Sequence, residues 1–596
     1  MNHICYFYIF EYKSLHNMGI SLDARYTYEM KDKVLTVREN EKYVKRLWPE
    51  GVTSLAAIVG NNGAGKTTFL EAMLHMLAEG SGVYRPNAIV VYENMGQLSA
   101  YMPNGCDYRI EGVKSVHNGE VSGVPKASLF YYSPYFRPYQ SLHIPGQGEL
   151  KGVYNATDTW KLVNDLLTYS NIDTLTGPQN LRMHLNAIVA QDNNRIALML
   201  VDEELRALLP KKMLPRYIIL TPNFAGYYNI EDKAHNYETY RELALSVPQF
   251  DQYKEGDFMR FISAYFFNCA AEIGKDPKAV LSMHKEWMDS LRRETKAYDS
   301  LNAIIEKHPD AESDLVPMLN ALAFLEHDCK YDENSHALYI DTYDKESPRL
   351  IMEMMYHFSN NMRFLVGHLY DISYSHENYT FTQPSSGELD MLKLFSRLYE
   401  ATFIQPIIRG NLYTPQLILI DEAENSYHPE WQRQFVDRLL KVLHAIYEKN
   451  RVRFENEKDI SKRKKPVKFQ VVMTTHSPIL LSDIPRMCTN YLEKSSITGE
   501  VIMNTDVHET FGTNIFDLYR YSFFLHDGMV GAYASERLTK LQKSIKAGKD
   551  KDTLLQEIDM IGDERIKDYM IALLEKREQQ EKRAKFNRQL RKARRK

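Results

Sequence analysis

The chain of 596 residues has little cysteine and no long apolar run. Its five cysteines are odd in number and widely separated, with no C-x-x-C pair, so the sequence predicts neither a disulfide framework nor a zinc site. No run approaches the roughly 18 apolar residues that cross a bilayer, and the N-terminus lacks the pattern of a secretory signal. We therefore expect a cytoplasmic protein with no membrane partner.

The chain also lacks a strong overall charge and a long heptad repeat. Its formal net charge is −4, which argues against a protein that binds nucleic acid over its whole surface. Sustained apolar a and d positions are missing, which excludes long coiled-coil arms. The length is sufficient for several domains with substantial cores.

One segment, Gly60 to Thr67, fits the phosphate-binding pattern G-x-x-x-x-G-K-[ST] at every fixed position. A strand-like apolar run at 55–59 precedes it, and a helix-like segment follows at 67–74. In this setting backbone N–H groups and a helix N-terminus point at phosphate oxygens. Lys66 would reach the β- and γ-phosphates of ATP, and the Thr67 hydroxyl would ligate Mg²⁺. The predicted nucleotide-binding residues are Asn61, Asn62, Gly63, Ala64, Gly65, Lys66, Thr67 and Thr68.

A second segment supplies carboxylates. Residues 417–420 are continuously apolar, as expected of a strand buried on both faces of a parallel sheet. Asp421 at the end of this strand would hold Mg²⁺ through water. Glu422 should point to the opposite face and act as the general base that orients or deprotonates the attacking water. An ordinary acidic strand end is the alternative, but the phosphate loop makes it the weaker one.

A third segment places His476 after another apolar strand, at 469–475. A histidine in this position can donate a hydrogen bond to the γ-phosphate and respond to its loss. An isolated histidine is more often a packing residue. The sequence Thr-Thr-His-Ser-Pro directly after a buried strand favours the catalytic interpretation.

Together with residues 384–388, Pro-Ser-Ser-Gly-Glu, these segments resemble the nucleotide-binding domains of ABC-type ATPases. The stretch from Asp421, DEAENSYHPEWQ, is similar to the form found in the soluble SMC-like, RecF-like and OLD-like branch. The resemblance implies that Ser385 and Gly387 of one copy complete the ATP site of another, in a homodimer or higher oligomer. Pro384 departs from the family's usual leucine at the start of this signature.

The terminal segments at 5–15 and 510–518 resemble those of bacterial anti-phage ATPases of the Septu and retron-associated kind. Such ATPases work beside a separately encoded nuclease. The resemblance implies a regulatory or sensor ATPase that controls a partner effector nuclease. The alternative is a RecF-like or SMC-like ATPase that binds DNA directly in repair or processing.

The spacing of the motifs predicts the domains. Lys66 and Ser385 are 319 residues apart in the sequence, far more than one ABC-type head requires. We expect an α/β P-loop head split by a large, mainly helical insertion, with helices at 160–167 and 258–267, and followed by a helical C-terminal tail. The expected boundaries are 1–156 and 363–510 for the two halves of the head, 157–362 for the insertion, and 511–596 for the C-terminal region with its basic tail.

The last fifteen residues contain nine lysines and arginines and no acidic residue. Such a tail can bind the phosphate backbone of DNA or RNA, or it can be a solvated, frayed terminus. A further basic cluster at 462–465 is predicted to be a surface loop.

A nuclease activity of the chain itself is not expected. Beyond Ser477, the acidic residues Asp506, Glu509 and Asp527 form no strand-borne set of carboxylates that could hold catalytic metals. The R-x4-H spacing at 363–368 carries an apolar residue where helical ribonucleases favour a polar one.

Overall fold

The computed structural model describes residues 2–78, 85–119, 125–135, 152–157, 192, 195–210, 214–222, 282, 286, 297–307, 330–332, 337–351, 370–375, 385–404, 406, 415–456, 466–495, 498–505, 507–522, 530–548 and 550–594. The predicted helices at 160–167 and 258–267, the segment 363–368, Pro384, Asp506, Asp527 and the basic cluster at 462–465 lie outside these residues. Two compact units are formed, Met1–Leu518 and Tyr519–Lys596. Among the described helices, none has the length and hydropathy needed to cross a membrane.

The described strands, in chain order, are β1 (Asn2–Tyr12), β2 (Leu15–Ser21), β3 (Tyr26–Lys31), β4 (Val34–Glu39), β5 (Val52–Gly60), β6 (Asn87–Asn94), β7 (Gln97–Met102), β8 (Arg109–Glu111), β9 (Ser115–Asn118), β10 (Leu129–Tyr132), β11 (Val153–Asn155), β12 (Tyr217–Pro222), β13 (Lys330–Asp332), β14 (Ala337–Asp341), β15 (Tyr370–Ser375), β16 (Leu417–Asp421), β17 (Phe469–Thr475), β18 (Thr489–Lys494) and β19 (Val501–Asn504). The described α-helices are α1 (Lys66–Leu77), α2 (Glu203–Leu208), α3 (Ala297–Lys307), α4 (Ser386–Tyr399), α5 (Pro429–Glu455), α6 (Pro478–Leu481), α7 (Ile515–Ser522), α8 (Ala532–Ala547), α9 (Lys551–Asp559) and α10 (Glu564–Ala593).

The central sheet of the first unit has the strand order β11-β10-β16-β17-β5-β18-β19. Its neighbouring strands are parallel except for the antiparallel pair β18–β19. The three strands that carry the predicted motifs are therefore adjacent, with β17 between β16 and β5. Every residue of β16 and β17 is buried, as their continuous apolar sequences predict for parallel strands covered on both faces. Because these strands run parallel, Gly60, Asp421 and Thr475 end at the same edge of the sheet.

Helix α1 packs between the central sheet and a second sheet of order β2-β1-β6-β7-β9. Phe69 of α1 meets Phe7 of β1 edge to face, with ring centroids 5.9 Å apart. The other face of the second sheet packs against a small sheet, β3-β4-β8, where Tyr6 and Tyr28 stack at 4.3 Å. This packing fixes the helix whose N-terminus carries the phosphate loop.

A four-stranded antiparallel sheet of order β13-β14-β12-β15 is built mainly from the predicted insertion. The described part of residues 157–362 thus contributes three strands, β12 to β14, as well as helices. Helical residues 195–201 and helix α2 lie beside the head, where Lys449 of α5 pairs with Asp202 at 3.1 Å and Glu204 at 2.8 Å.

A buried ionic cluster joins this region to helix α4. The Arg397 side chain is fully buried and forms a bidentate pair with Asp192, and its Nη1 donates to the carbonyl of Ala156 at 2.7 Å. Arg195 bridges Asp192 at 2.9 Å and Glu400 at 2.5 Å. Since buried charges are tolerated only when paired and hydrogen-bonded, this cluster holds the base of the insertion against the C-terminal end of α4.

The second unit is a small helical assembly of α8, α9 and α10 around its own apolar cluster. Helix α10 lies in the region expected to be a helical tail, and it extends through the basic residues to Ala593. Lys, Arg and Gln are good helix formers, so the basic sequence continues the helix after the apolar positions end.

Candidate functional site

The phosphate loop connects β5 to α1, as its sequence predicts. Gly65 has a φ of +82° and precedes the first residue of α1. A Cβ atom here would also lie 2.6 Å from Cδ2 of Leu15, so both the backbone angle and the close approach require glycine. The loop borders a cavity of about 240 Å³, which is lined by residues 62–68 together with Ser14, Glu422 and His476. Asn61 contributes a backbone carbonyl that accepts a hydrogen bond from Lys66.

Lys66 lies at the centre of the site, with a side chain that is only 4% exposed. Its Nζ donates to the carbonyls of Gly60 at 2.9 Å and Asn61 at 3.2 Å. It also lies 3.2 Å from Oε1 of Glu422 and 3.0 and 3.2 Å from the two ring nitrogens of His476. Burial lowers the pKa of Lys66, against the opposing effect of the Glu422 charge. The Lys66 ammonium group therefore contacts both Glu422, the candidate base, and His476.

Thr67 and Asp421, the two residues predicted to hold a metal ion, lie side by side. The Thr67 hydroxyl lies 3.0 and 3.1 Å from the two carboxylate oxygens of Asp421. The Thr474 hydroxyl donates to Oδ1 of Asp421 at 2.7 Å and fixes the orientation of this fully buried carboxylate. The two groups are thus hydrogen-bonded neighbours at the end of β16, and their role in holding Mg²⁺ stays a prediction.

Glu422 does not continue the strand direction of Asp421. Its backbone is left-handed, with a φ of +51°, and its N–H donates to the Thr474 hydroxyl at 3.1 Å. This turn brings the Glu422 carboxylate to the same edge as Asp421, where it pairs with His476 and Lys66. Burial raises the pKa of Glu422, but the hydrogen bond from His476 and the Lys66 charge outweigh it and lower the pKa to about 2. The expectation that Glu422 points to the opposite face assumed an extended backbone, and the left-handed φ of Glu422 makes that assumption wrong. The expected approach of Glu422 to the phosphate side of the site agrees with its contact to Lys66.

Glu424, which the sequence offers only as a substitute base should Glu422 not act, is also a site residue. Its Oε1 accepts hydrogen bonds from the Thr475 hydroxyl and from the backbone N–H of His476, the latter at 3.2 Å. The side chain is fully buried, and Oε2 has no hydrogen-bond partner within the described residues. Burial raises the pKa of Glu424, which favours a neutral acid. The acidic repeat in Asp-Glu-Ala-Glu was the available signal, but the repeat does not show which carboxylate is buried.

Ser385 and Gly387 lie at the N-terminus of α4. The Ser385 hydroxyl and the Glu388 carboxylate form a capping box, with hydrogen bonds of 2.9 to 3.4 Å. A Cβ on Gly387 would lie 2.5 Å from the carbonyl oxygen of Ser426, so glycine permits α4 to pack on the turn that follows Glu422. Neither residue lines the phosphate-loop cavity of the same chain in the described structure.

Residues 190–482, just under half of the chain, match the sequence model of a family described as "AAA domain, putative AbiEii toxin, Type IV TA system". One similar solved structure is the Smc head domain with an extended coiled coil, bound to the C-terminal domain of ScpA, from Pyrococcus furiosus. It is 9% identical, with 85% of this chain and 96% of that chain covered, and the TM-score is 0.26. Because this score is low, the fold assignment depends on the strand order and the site geometry.

The family match, the parallel sheet and the phosphate loop at its edge support a P-loop, nucleotide-binding ATPase. The predicted α/β class is confirmed at this level. The roles of individual residues, the composite site of Ser385 and Gly387, and the link to defence remain predictions.

Proposed function

We propose that this chain binds ATP with Mg²⁺ at the phosphate loop and hydrolyses the γ-phosphate. The observation that supports this most directly is the convergence of Lys66, Glu422 and His476 beside the cavity. Mg²⁺, when bound, would neutralise charge on the β- and γ-phosphates. The Thr67 hydroxyl would ligate the ion, and Asp421, whose carboxylate lies 3.0 Å from that hydroxyl, would hold it through water.

The contacts of the three converging residues suggest how each one acts. Lys66 would donate to phosphate oxygens in place of the Gly60 and Asn61 carbonyls. The contacts with His476 and Lys66 lower the pKa of Glu422 and keep it ionised, so it would orient the attacking water or accept its proton. His476 would donate to the γ-phosphate and lose that contact after hydrolysis.

The ATP site is proposed to be completed by a second copy of the chain. Ser385, Gly387 and the N-terminus of α4 offer a hydroxyl, N–H groups and a favourable helix dipole for a γ-phosphate. They lie outside the cavity that holds Lys66 in their own chain. A two-fold dimer would use this pair of surfaces twice and enclose two nucleotides.

At the level of the cell, the chain is proposed to be the cytoplasmic regulatory or sensor subunit of a bacterial anti-phage complex that controls a separately encoded effector nuclease. The description of the matched family names a toxin of a type IV TA system, which supports a function together with a separately encoded partner protein. The alternative is a RecF-like or SMC-like DNA repair or processing ATPase, and the basic end of α10 favours direct DNA contact.

The two functions are separated by recovering the tagged chain from its native host, with the nucleic acid retained and sequenced. Recovery of a nuclease protein in stoichiometric amount supports the regulatory subunit. ATP should then determine whether the nuclease is retained or released, and the Lys66→Ala variant should lose this dependence on ATP. Recovery of DNA without a nuclease protein supports the alternative. A neighbouring nuclease or reverse-transcriptase gene is an independent test.

A further inference from the structure

The C-terminal half of α10 is the most strongly charged surface in the second unit. Every residue from Gln579 to Arg594 is exposed, whereas Met570 and Leu574 anchor the first half of the helix in the apolar cluster. The basic end of α10 therefore extends beyond the apolar cluster of the second unit. A helix twelve residues long, from Lys582 to Ala593, spans about 18 Å.

The two halves of α10 differ in charge balance. In the first half, Glu578 pairs with Lys551 at 2.7 Å, and Arg577 pairs with Glu581. From Arg583 onward the basic side chains form no ion pair with any residue that the structure describes. These side chains are Arg583, Lys585, Arg588, Arg591, Lys592 and Arg594. The positive charge of this half is thus available to a partner.

The basic residues surround the helix. Successive residues are turned by about 100°, so Arg591 points away from Lys582, and Arg583, Arg588 and Lys585 occupy the sides between them. Phe586 and Leu590, four residues apart and 62% and 41% exposed, form a narrow apolar stripe. A flat membrane surface would contact only one face, and interfacial helices use a broad apolar face. The charge distribution fits a partner that surrounds the helix with negative charge.

We infer that the basic half of α10 is a binding element for double-stranded DNA that lies in the major groove. That groove is about 12 Å wide and admits an α-helix, with phosphates on both sides. The major groove of A-form RNA is deep and narrow, which disfavours duplex RNA. This inference is independent of the ATP site and applies to either function proposed above.

The test uses the full-length chain, without nucleotide, and a mixed-sequence DNA duplex of about 20 base pairs followed by fluorescence anisotropy. A variant in the basic half of α10 carries Arg583→Gln, Arg588→Gln, Arg591→Gln and Lys592→Gln. A control with the same change in charge elsewhere in the unit carries Lys540→Gln, Lys543→Gln, Lys546→Gln and Lys576→Gln. Glutamine preserves helix propensity, and circular dichroism and thermal unfolding check that both proteins fold.

We expect the α10 variant to bind DNA at least about tenfold more weakly, with the salt slope reduced by up to about 0.9 for each lost phosphate contact. The control should remain within about threefold of the wild type, since it leaves the phosphate contacts in place. An equal loss of DNA affinity in both variants would overturn the inference, because it would show that binding depends on the total charge of the unit and not on α10. It would also be overturned by absence of wild-type DNA binding at about 50 mM salt, or by tighter binding of duplex RNA or of vesicles containing phosphatidylserine.

A Phe586→Ala, Leu590→Ala variant distinguishes a membrane from DNA. If α10 binds in the groove through its charges, this variant retains most DNA affinity. If the apolar stripe inserts into lipid, vesicle binding is lost while DNA binding is absent throughout, and the inference fails. Because all of these measurements omit ATP, their outcome is separate from the outcome for the proposed ATPase.

Discussion

Glu424 accepts a hydrogen bond from the backbone N–H of His476 at 3.2 Å, and so ties the turn after β16 to the end of β17. Its Oε1 also accepts from the Thr475 hydroxyl. The buried acid thereby fixes the point from which the His476 ring reaches Glu422 and Lys66. We interpret Glu424 as a positioning residue for the histidine. Its burial makes it unsuitable as a substitute base for water attack.

Glu424→Ala should lower kcat by about tenfold or more, because a buried N–H without its acceptor costs about 1–3 kcal/mol. The affinity for ATP should change little, since Lys66 and Thr67 are not touched. Glu424→Gln keeps an acceptor for both hydrogen bonds and should restore most of the activity. Steady-state kinetics and equilibrium ATP binding measure these quantities separately. If alanine has no effect, or if glutamine is as harmful as alanine, positioning through the acceptor oxygen is the wrong explanation.

Lys66→Ala should weaken ATP binding by roughly 10- to 150-fold, because a charge-assisted phosphate contact contributes about 1.5–3 kcal/mol. Titration calorimetry with a slowly hydrolysed ATP analogue measures the loss. Lys45→Ala removes an exposed lysine from the same unit and is the matched control. Wild-type affinity in a folded Lys66→Ala protein would refute the assignment of the phosphate loop.

Glu422→Gln should leave ATP bound while reducing turnover by about 10²–10⁴, the usual contribution of a general base. Glutamine retains the size and hydrogen-bonding capacity of the side chain but loses its charge. Single-turnover hydrolysis and nucleotide retention after gel filtration test the two parts. An unchanged hydrolysis rate would show that another group acts on the water.

The sequence was sufficient to predict the motif strands and the loop that joins β5 to α1. Continuous apolar runs identify β16 and β17, and the glycine pattern identifies the loop. The pairing of Val52 with Phe469 could not be predicted, because local patterns contain no information on contacts between residues hundreds of positions apart. The left-handed turn at Glu422 and the burial of Glu424 both depend on this long-range pairing.

Arg397 shows the same limit for a charged side chain. Composition and periodicity place an arginine near a helix end at the surface, yet Arg397 is fully buried in the structure. Its acceptors are Asp192, on the far side of the predicted domain boundary, and the Ala156 carbonyl. Only the three-dimensional contact between the insertion and α4 explains the burial.

Arg397→Ala should destabilise the first unit by about 3 kcal/mol, because buried Asp192 loses its bidentate partner while it keeps the contact with Arg195. Arg433→Ala removes an exposed arginine that pairs with Glu430 one helical turn away, and should cost about 1 kcal/mol or less. Thermal and chemical unfolding compare the two variants. Similar losses in both would indicate that the buried cluster does not stabilise the contact between the insertion and α4.

The composite ATP site is tested by mixing two inactive variants. Lys66→Ala removes the phosphate contact of one copy, and Ser385→Arg places a bulky charge at the N-terminus of α4, where Ser385 caps the helix. Each homodimer should be inactive. A heterodimer should regain one intact site, formed by the unchanged phosphate loop of the Ser385→Arg chain and the unchanged Ser385 of the Lys66→Ala chain. Differently tagged chains, purified in tandem, allow hydrolysis by verified heterodimers to be measured.

Independent composite sites predict about half of the wild-type rate per heterodimer, because one of the two sites is restored. Complete inactivity of the heterodimer would argue against independent sites. The specific activity of the wild type, measured against protein concentration, then distinguishes coupled composite sites from the absence of any composite site. Coupled sites still require two copies, so the specific activity should rise with protein concentration. A strictly monomeric wild-type protein that hydrolyses ATP at full rate, independent of concentration, would exclude the composite site.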